Sequence, residues 1–193
     1  MKLGCKVCII CSMRPVGYMY KRISLRPEWL GVPSVVDIYS ASSCISHDFC
    51  DYINYWKHNG YWLFNSPAVM ENLAAEHAFS LSDCTLFYYE AYDFQFIQTD
   101  RVWAEFFPIE DFVTDVLKPV SPKLEGYDVS TFLCANKPEC SPLSCNYLAR
   151  ELTVNRHCLF ATLEDAKLAI DGGKFENSES GPLRIFAVYS VSA

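Results

Sequence analysis

Apolar and polar positions alternate over residues 16–24, with Val16, Tyr18 and Tyr20 opposed to Gly17, Met19 and Lys21, and this period of two predicts a strand. An apolar run at 5–11 predicts another before it, with Arg14-Pro15 as the turn. Prolines and a glycine mark Arg26 to Pro33 as loop, and Ser34 to Tyr39 reads as a third strand. From Ser46, a plausible N-cap with Asp48 in the first turn, the period changes. Phe49, Tyr52, Ile53 and Trp56 recur at helical spacing opposite Asp51, Asn54 and Lys57, which predicts a helix ending at Asn59-Gly60. Tyr61 to Phe64 reads as extended, and Ser66-Pro67 opens a helix to about Ala78 with Val69, Met70, Leu73 and His77 inward. Thr85 to Phe96 is a long aromatic strand, 99–117 is interrupted by Pro108, and Lys118 to Gly126 has the composition of a linker.

The same order then returns. Tyr127 to Phe132 reads as a strand, and Ser141-Pro142 opens a helix to about Thr153 that would bury Leu143, Tyr147 and Leu148. His157 to Phe160 is extended, Thr162-Leu-Glu-Asp165 has the form of a capping box, the following helix stops at Gly172-Gly173, and Leu183 to Val191 is a last strand. Residues 44–74 lie on 140–170 without a gap, pairing Cys44 with Cys140, Asn59 with Asn155, Leu63-Phe64 with Leu159-Phe160 and Ser66 with Thr162. One inserted residue also brings Leu86 and Tyr92 onto Leu183 and Tyr189. The expected fold is α+β: a mixed, largely antiparallel sheet with helices on one face, built from an internally duplicated βαβαβ-like unit. The expected halves are 1–117 and 127–193, joined by 118–126 into one globular unit.

Composition narrows the partners. Half of the 193 residues are apolar and 15% aromatic, as in a chain that builds a substantial core. A formal charge of −7 weighs against broad binding to nucleic acid or anionic membrane, both of which need Lys and Arg against phosphate. The N-terminal apolar run, broken by Lys6 and Arg14, is too short and too charged for a signal-peptide core, and no apolar run is long enough to span a membrane. These points lead to the expectation of a cytoplasmic protein whose ten cysteines are reduced and bind no metal.

Chemistry is thinly signalled. Cys5, Cys8 and Cys11 have iron–sulfur spacing, but a strand would point Cys8 away from the other two. Cys134, Cys140, Cys145 and Cys158 with His157 lack the tight cysteine pair of a structural zinc site. Cys145, in the first turn of a helix capped by Ser141, has the environment that lowers a thiol pKa, and His47 could face it as a base if the two halves pack about a dyad. Cys140, Ser141 and Ser144 would share that anion-binding turn. Trp29, Trp62 and Tyr92 are candidate binding anchors.

Asn59-Gly-Tyr-Trp-Leu-Phe-Asn-Ser-Pro, followed by a helix and a strand bearing Glu90, resembles the Tyr-Phe-Ser/Thr strand-to-helix element of ADP-ribosyltransferases over about thirty residues. That resemblance implies an NAD-binding cleft near Tyr61 and a role for Glu90 at the ribose, although the upstream His or Arg strand of that family is not recognisable here. Glycine-rich phosphate loops, nucleophile elbows and His-Glu-x-x-His are not found. The sequence thus favours a protein-interaction or ligand-binding module of inhibitor or immunity type, without a cofactor, whose partner is a protein or a small ligand. The alternative is an enzyme using Cys145 or the Tyr61–Glu90 cleft.

Overall fold

Alternating apolar residues at Met13–Arg22 form β1, whose centre from Val16 to Met19 is buried on both faces. The computed structural model describes residues 13–52, 59–106, 115–131 and 140–191. The predicted strand at 5–11, Cys134 and part of the helix predicted from Ser46 to Asn59 lie outside these residues. After β1 come the short strands β2 (Ser24–Leu25), β3 (Asp37–Ile38) and β4 (His47–Asp48), then α1 (Pro67–Glu76). β5 (Thr85–Ile97), β6 (Val102–Glu105) and β7 (Lys123–Thr131) follow, then α2 (Pro142–Cys145), α3 (Leu163–Asp171) and β8 (Leu183–Ser190).

One sheet runs β4-β1-β5-β8-β7, with β6 paired to β5. Every strand pairing among the described residues is antiparallel. The expected α+β class is therefore present. Because strands from both sides of residues 118–126 enter one sheet, and β7 already begins at Lys123, the linker-like composition there marks the approach to a strand. Two apolar clusters pack on the sheet: one gathers Val16, Phe64, Met70, Ala74 and Phe87, the other Val129, Leu143, Ala166, Ile170 and Ile185.

A single set of contacts occurs twice. Asn59 donates through Nδ2 to the Val16 carbonyl (2.8 Å) and accepts at Oδ1 from the N–H groups of Tyr61 and Leu63 (2.9 and 3.3 Å). Asn155 donates to the Glu125 carbonyl (2.7 Å) and accepts from His157 and Leu159 (2.9 and 3.2 Å). Tyr18 and Phe64 exchange two backbone hydrogen bonds, and so do Tyr127 and Phe160. At each site a glycine of the strand lies under the turn. Gly17 (φ +146°) and Gly126 (φ +150°) would place a Cβ 2.5 Å from Leu63 Cβ and 2.6 Å from the Phe160 carbonyl oxygen, respectively. Gly17 pairs with Tyr89, Gly126 pairs with Val188, and Tyr89 and Val188 pair with each other at the centre of the sheet.

Three expectations fail locally. His47–Asp48 pairs with Lys21 and Arg22 on β1, and only a short 3-10 turn, Phe49–Tyr52, follows. Burial of the Lys21 ammonium, 2.9 Å from Asp48, fixes that edge pairing against the local helical period. The helix predicted from Ser141 stops after one turn: Cys145 is bonded to Cys140, and Tyr147 takes a left-handed conformation (φ +63°) before a 3-10 turn at Leu148–Arg150. In α1, Met70 is buried but Val69 and His77 are exposed.

Candidate functional site

Residues 39–46 cross one face of the sheet and are held by two buried ionic side chains. Lys21 donates to the carbonyls of Ser40 and Ser42 (2.6 and 2.8 Å) and pairs with Asp48. Asp128, on β7, accepts from the Ala41 N–H (2.7 Å), the Ser141 hydroxyl (2.5 Å) and the Val129 N–H (2.9 Å). Burial pushes the Asp128 carboxyl up to about 6, against the opposing pull of these donors and of Lys21. Ser42 and Ser141 hydroxyls meet at 2.9 Å, so the segment before Cys44 and the segment after Cys140 are tied together.

That junction gathers three cysteines. The sulfurs of Cys44, Cys140 and Cys145 lie within 4.8 Å of one another, with Cys140 and Cys145 joined as a disulfide. This corrects the expectation of reduced cysteines, which followed from the expected cytoplasmic location: the fold brings Cys140 and Cys145 together across a single turn. Among the described residues, Cys44, Cys50, Cys84 and Cys158 lie outside the disulfide. Burial raises the Cys44 thiol, while hydrogen bonds from the Ser42 side chain and the Ser141 backbone pull the other way. Cys145 closes a four-residue helix, too short for a developed dipole, and its sulfur is engaged. His47 is exposed on the edge strand, facing Asp51 and Tyr52. Ser144 is buried and donates to the Ser141 carbonyl.

Glu90 sits on the opposite side of β5 from Tyr89. Its Oε1 accepts from Tyr88 (3.0 Å) and Lys118 (2.7 Å) and its Oε2 from Tyr189 (2.8 Å). Tyr61 is fully buried edge-on to Phe106, and its charged neighbours are Arg14, Arg184 and Asp93. The two residues of the predicted NAD cleft therefore have separate sets of partners.

The sequence offers Trp29, Trp62 and Tyr92 as anchors. Tyr92 is core, packed on Phe94 and Trp103, and Trp62 is half-buried in the turn closed by Asn59. Trp29 is 41% exposed and meets the edge of Tyr147, itself 46% exposed, at 5.1 Å. Arg150 lies over the Tyr147 ring at 4.6 Å and donates to the carbonyls of Trp29 and Leu30. Tyr147 is not legible as a surface residue because the apolar period of 143–148 continues through the point where the chain turns left-handed. The Val36 N–H donates to the Arg156 carbonyl and the Val36 carbonyl accepts from the Arg26 N–H, while Glu28 and Glu151 neighbour Trp29 and Arg150 in sequence. None of these three arginines enters an ion pair among the described residues.

Next to Arg156, residues Leu152 and Val154 form one wall of a groove of about 510 Å³ whose other wall is α3 at Asp165, Leu168 and Ala169. On the inner side of the same loop His157 contacts Asp37 through Nδ1 (2.5 Å), approaches Glu125 through Nε2 (3.6 Å) and stacks on Tyr39. Burial favours the protonated form of Glu125, yet Ser190, Lys123 and His157 hold its carboxyl below the usual range. No protein-family model, curated protein or solved structure matches this chain.

Proposed function

We propose that the protein is a protein-interaction module of inhibitor or immunity type whose contact surface centres on Trp29, Tyr147 and Arg150. The observation that carries this reading is the exposed Tyr147 ring, set in a left-handed backbone conformation and flanked by Trp29 and Arg150. A non-glycine residue in that conformation costs about 1–3 kcal/mol, a cost that tends to persist where the side chain has work to do. Trp, Tyr and Arg are also the residue types that dominate binding energy at interfaces. A rival surface at Leu117, Val120 and Leu124 is more exposed, but it is aliphatic and lies beside Pro119 and Pro122, outside or at the edge of regular structure.

The enzyme alternatives have less support. Cys145 is bonded, and both Glu90 oxygens accept hydrogen bonds already. A second binding reading, a small apolar ligand beside α3, is favoured by the groove lined by Leu152, Phe160, Leu168 and Ala169. Co-purification from the native host separates the two: a protein retained by the wild type and by Leu168→Ser, but lost with Tyr147→Ala, supports the module. Retention of the same protein by Tyr147→Ala at wild-type yield counts against it.

We also propose that the chain arose by internal duplication, with α1 and α3 as equivalent helices. The repeated asparagine, glycine and Leu-Phe contacts support this, as does the mutual pairing of Tyr89 and Val188. In that alignment Tyr89 corresponds to Val188, which requires three inserted residues between the helix and the last strand rather than one.

A further inference from the structure

We propose that Cys44, Cys140 and Cys145, once the disulfide is reduced, form a three-thiolate site for one thiophilic metal ion. The sulfurs come from distant segments and already lie within 4.8 Å of one another. Two thiolates bound to one ion at about 2.3 Å stand roughly 3.8 Å apart, so the trio requires adjustments of only about 1–2 Å once the sulfur–sulfur bond opens. Its framework is built rather than fortuitous. Asp128 bridges Ala41 and Ser141, Ser42 bonds to Ser141, and both anchored segments are buried. The Ser42 side chain and the Ser141 backbone hydrogen-bond to Cys44, the kind of outer contact that orients a metal thiolate. Cys44 is exposed, which gives an ion a way in. Sequence spacing pointed away from a metal because Cys140 and Cys145 form no tight motif with Cys134 or Cys158; the missing partner is Cys44, supplied by the other half of the chain.

A dithiol reductant gives two electrons and two protons to the Cys140–Cys145 bond, leaving two thiols and its own disulfide. The incoming ion then displaces one proton from each of three thiols, and three protons are released. Soft thiolate donors suit Cu⁺ and Zn²⁺ alike. Three ligands complete a trigonal Cu⁺ site, whereas Zn²⁺ would complete a tetrahedron with water.

The test uses the full chain, reduced with a dithiol and desalted without oxygen. Zn²⁺ and Cu⁺ are titrated separately against chromophoric chelators with wild type, Cys44→Ser and the control Cys50→Ser. One equivalent should bind to wild type and Cys50→Ser, with affinity falling more than about 100-fold in Cys44→Ser and in unreduced wild type. A response in the zinc arm alone assigns a divalent site with an open position, and a response in the copper arm alone assigns a trigonal site. Should Cys44→Ser fail to fold, protection of Cys44 from alkylation in metal-loaded wild type gives the same reading by mass spectrometry. Equal affinity of wild type and Cys44→Ser, unprotected Cys44, or no stoichiometric binding in either arm overturns the proposal.

Discussion

Asn59 and Asn155 each spend one side chain on three backbone groups, which makes them costly to replace. Asn155→Ala leaves the His157 and Leu159 amides without their acceptor, a loss of roughly 2–4 kcal/mol, and Gly126→Ala adds a collision with backbone on top of an unfavourable φ. Both variants should show a clear fall in denaturant midpoint by circular dichroism; a change under about 0.5 kcal/mol in either would contradict the account of these turns. Asp128 yields a pH-dependent expectation. Its folded pKa, about 6, lies above the ordinary value of 3.8, so between these limits the folded state holds a proton that the unfolded chain has released. Stability from this group is therefore greatest below about pH 4 and declines as pH rises to about 6. Relative to Asp128→Asn, the wild type should lose on the order of 3 kcal/mol across that window. A flat or rising difference would show that the three donors and Lys21 dominate over burial.

At the scale of elements, the two helices that look alike in sequence are capped differently. Thr162 accepts from the Asp165 N–H (3.1 Å), whereas the Ser66 side chain makes no capping bond. Thr162→Ala should cost about 1 kcal/mol and Ser66→Ala a few tenths, measured by the same denaturation; equal losses would refute the distinction. The long strands β5 and β8, the second half of β7 and both longer helices are legible because their periodicity or caps coincide with what tertiary packing rewards. The segments at 46–52 and 141–153 are not. In the first, edge pairing around Lys21 and Asp48 overrides a helical pattern, and in the second a disulfide and a left-handed Tyr147 interrupt one. The same two overrides hide the candidate sites: Trp29 is visible as an aromatic in a loop, but the apolar period places Tyr147 on a buried face, and although the repeat pairs Cys44 with Cys140, metal-ligand spacing sets Cys140 and Cys145 only beside Cys134 and Cys158.

Across the whole molecule, the sheet joins residues from Met13 to Ser190, and the proposed contact surface draws on distant parts of the chain: Trp29 from the loop between β2 and β3, and Tyr147 and Arg150 from the segment after α2. No helix among the described residues is long and apolar enough to cross a membrane. Arg150 locks the two segments together through the Trp29 and Leu30 carbonyls, and that preorganisation lowers the cost of ordering the aromatic rings at an interface. The most direct measurement is the affinity of the co-purified partner, by calorimetric titration, for Trp29→Ala, Tyr147→Ala and Arg150→Ala beside Leu117→Ala and Val120→Ala. Tyr147→Ala and at least one of its two neighbours should weaken binding by about 2 kcal/mol or more, roughly 30-fold, with the Leu117 and Val120 variants within about threefold of wild type. Full affinity in the first three with loss at Leu117 or Val120 would place the interface on the other surface and contradict the assignment.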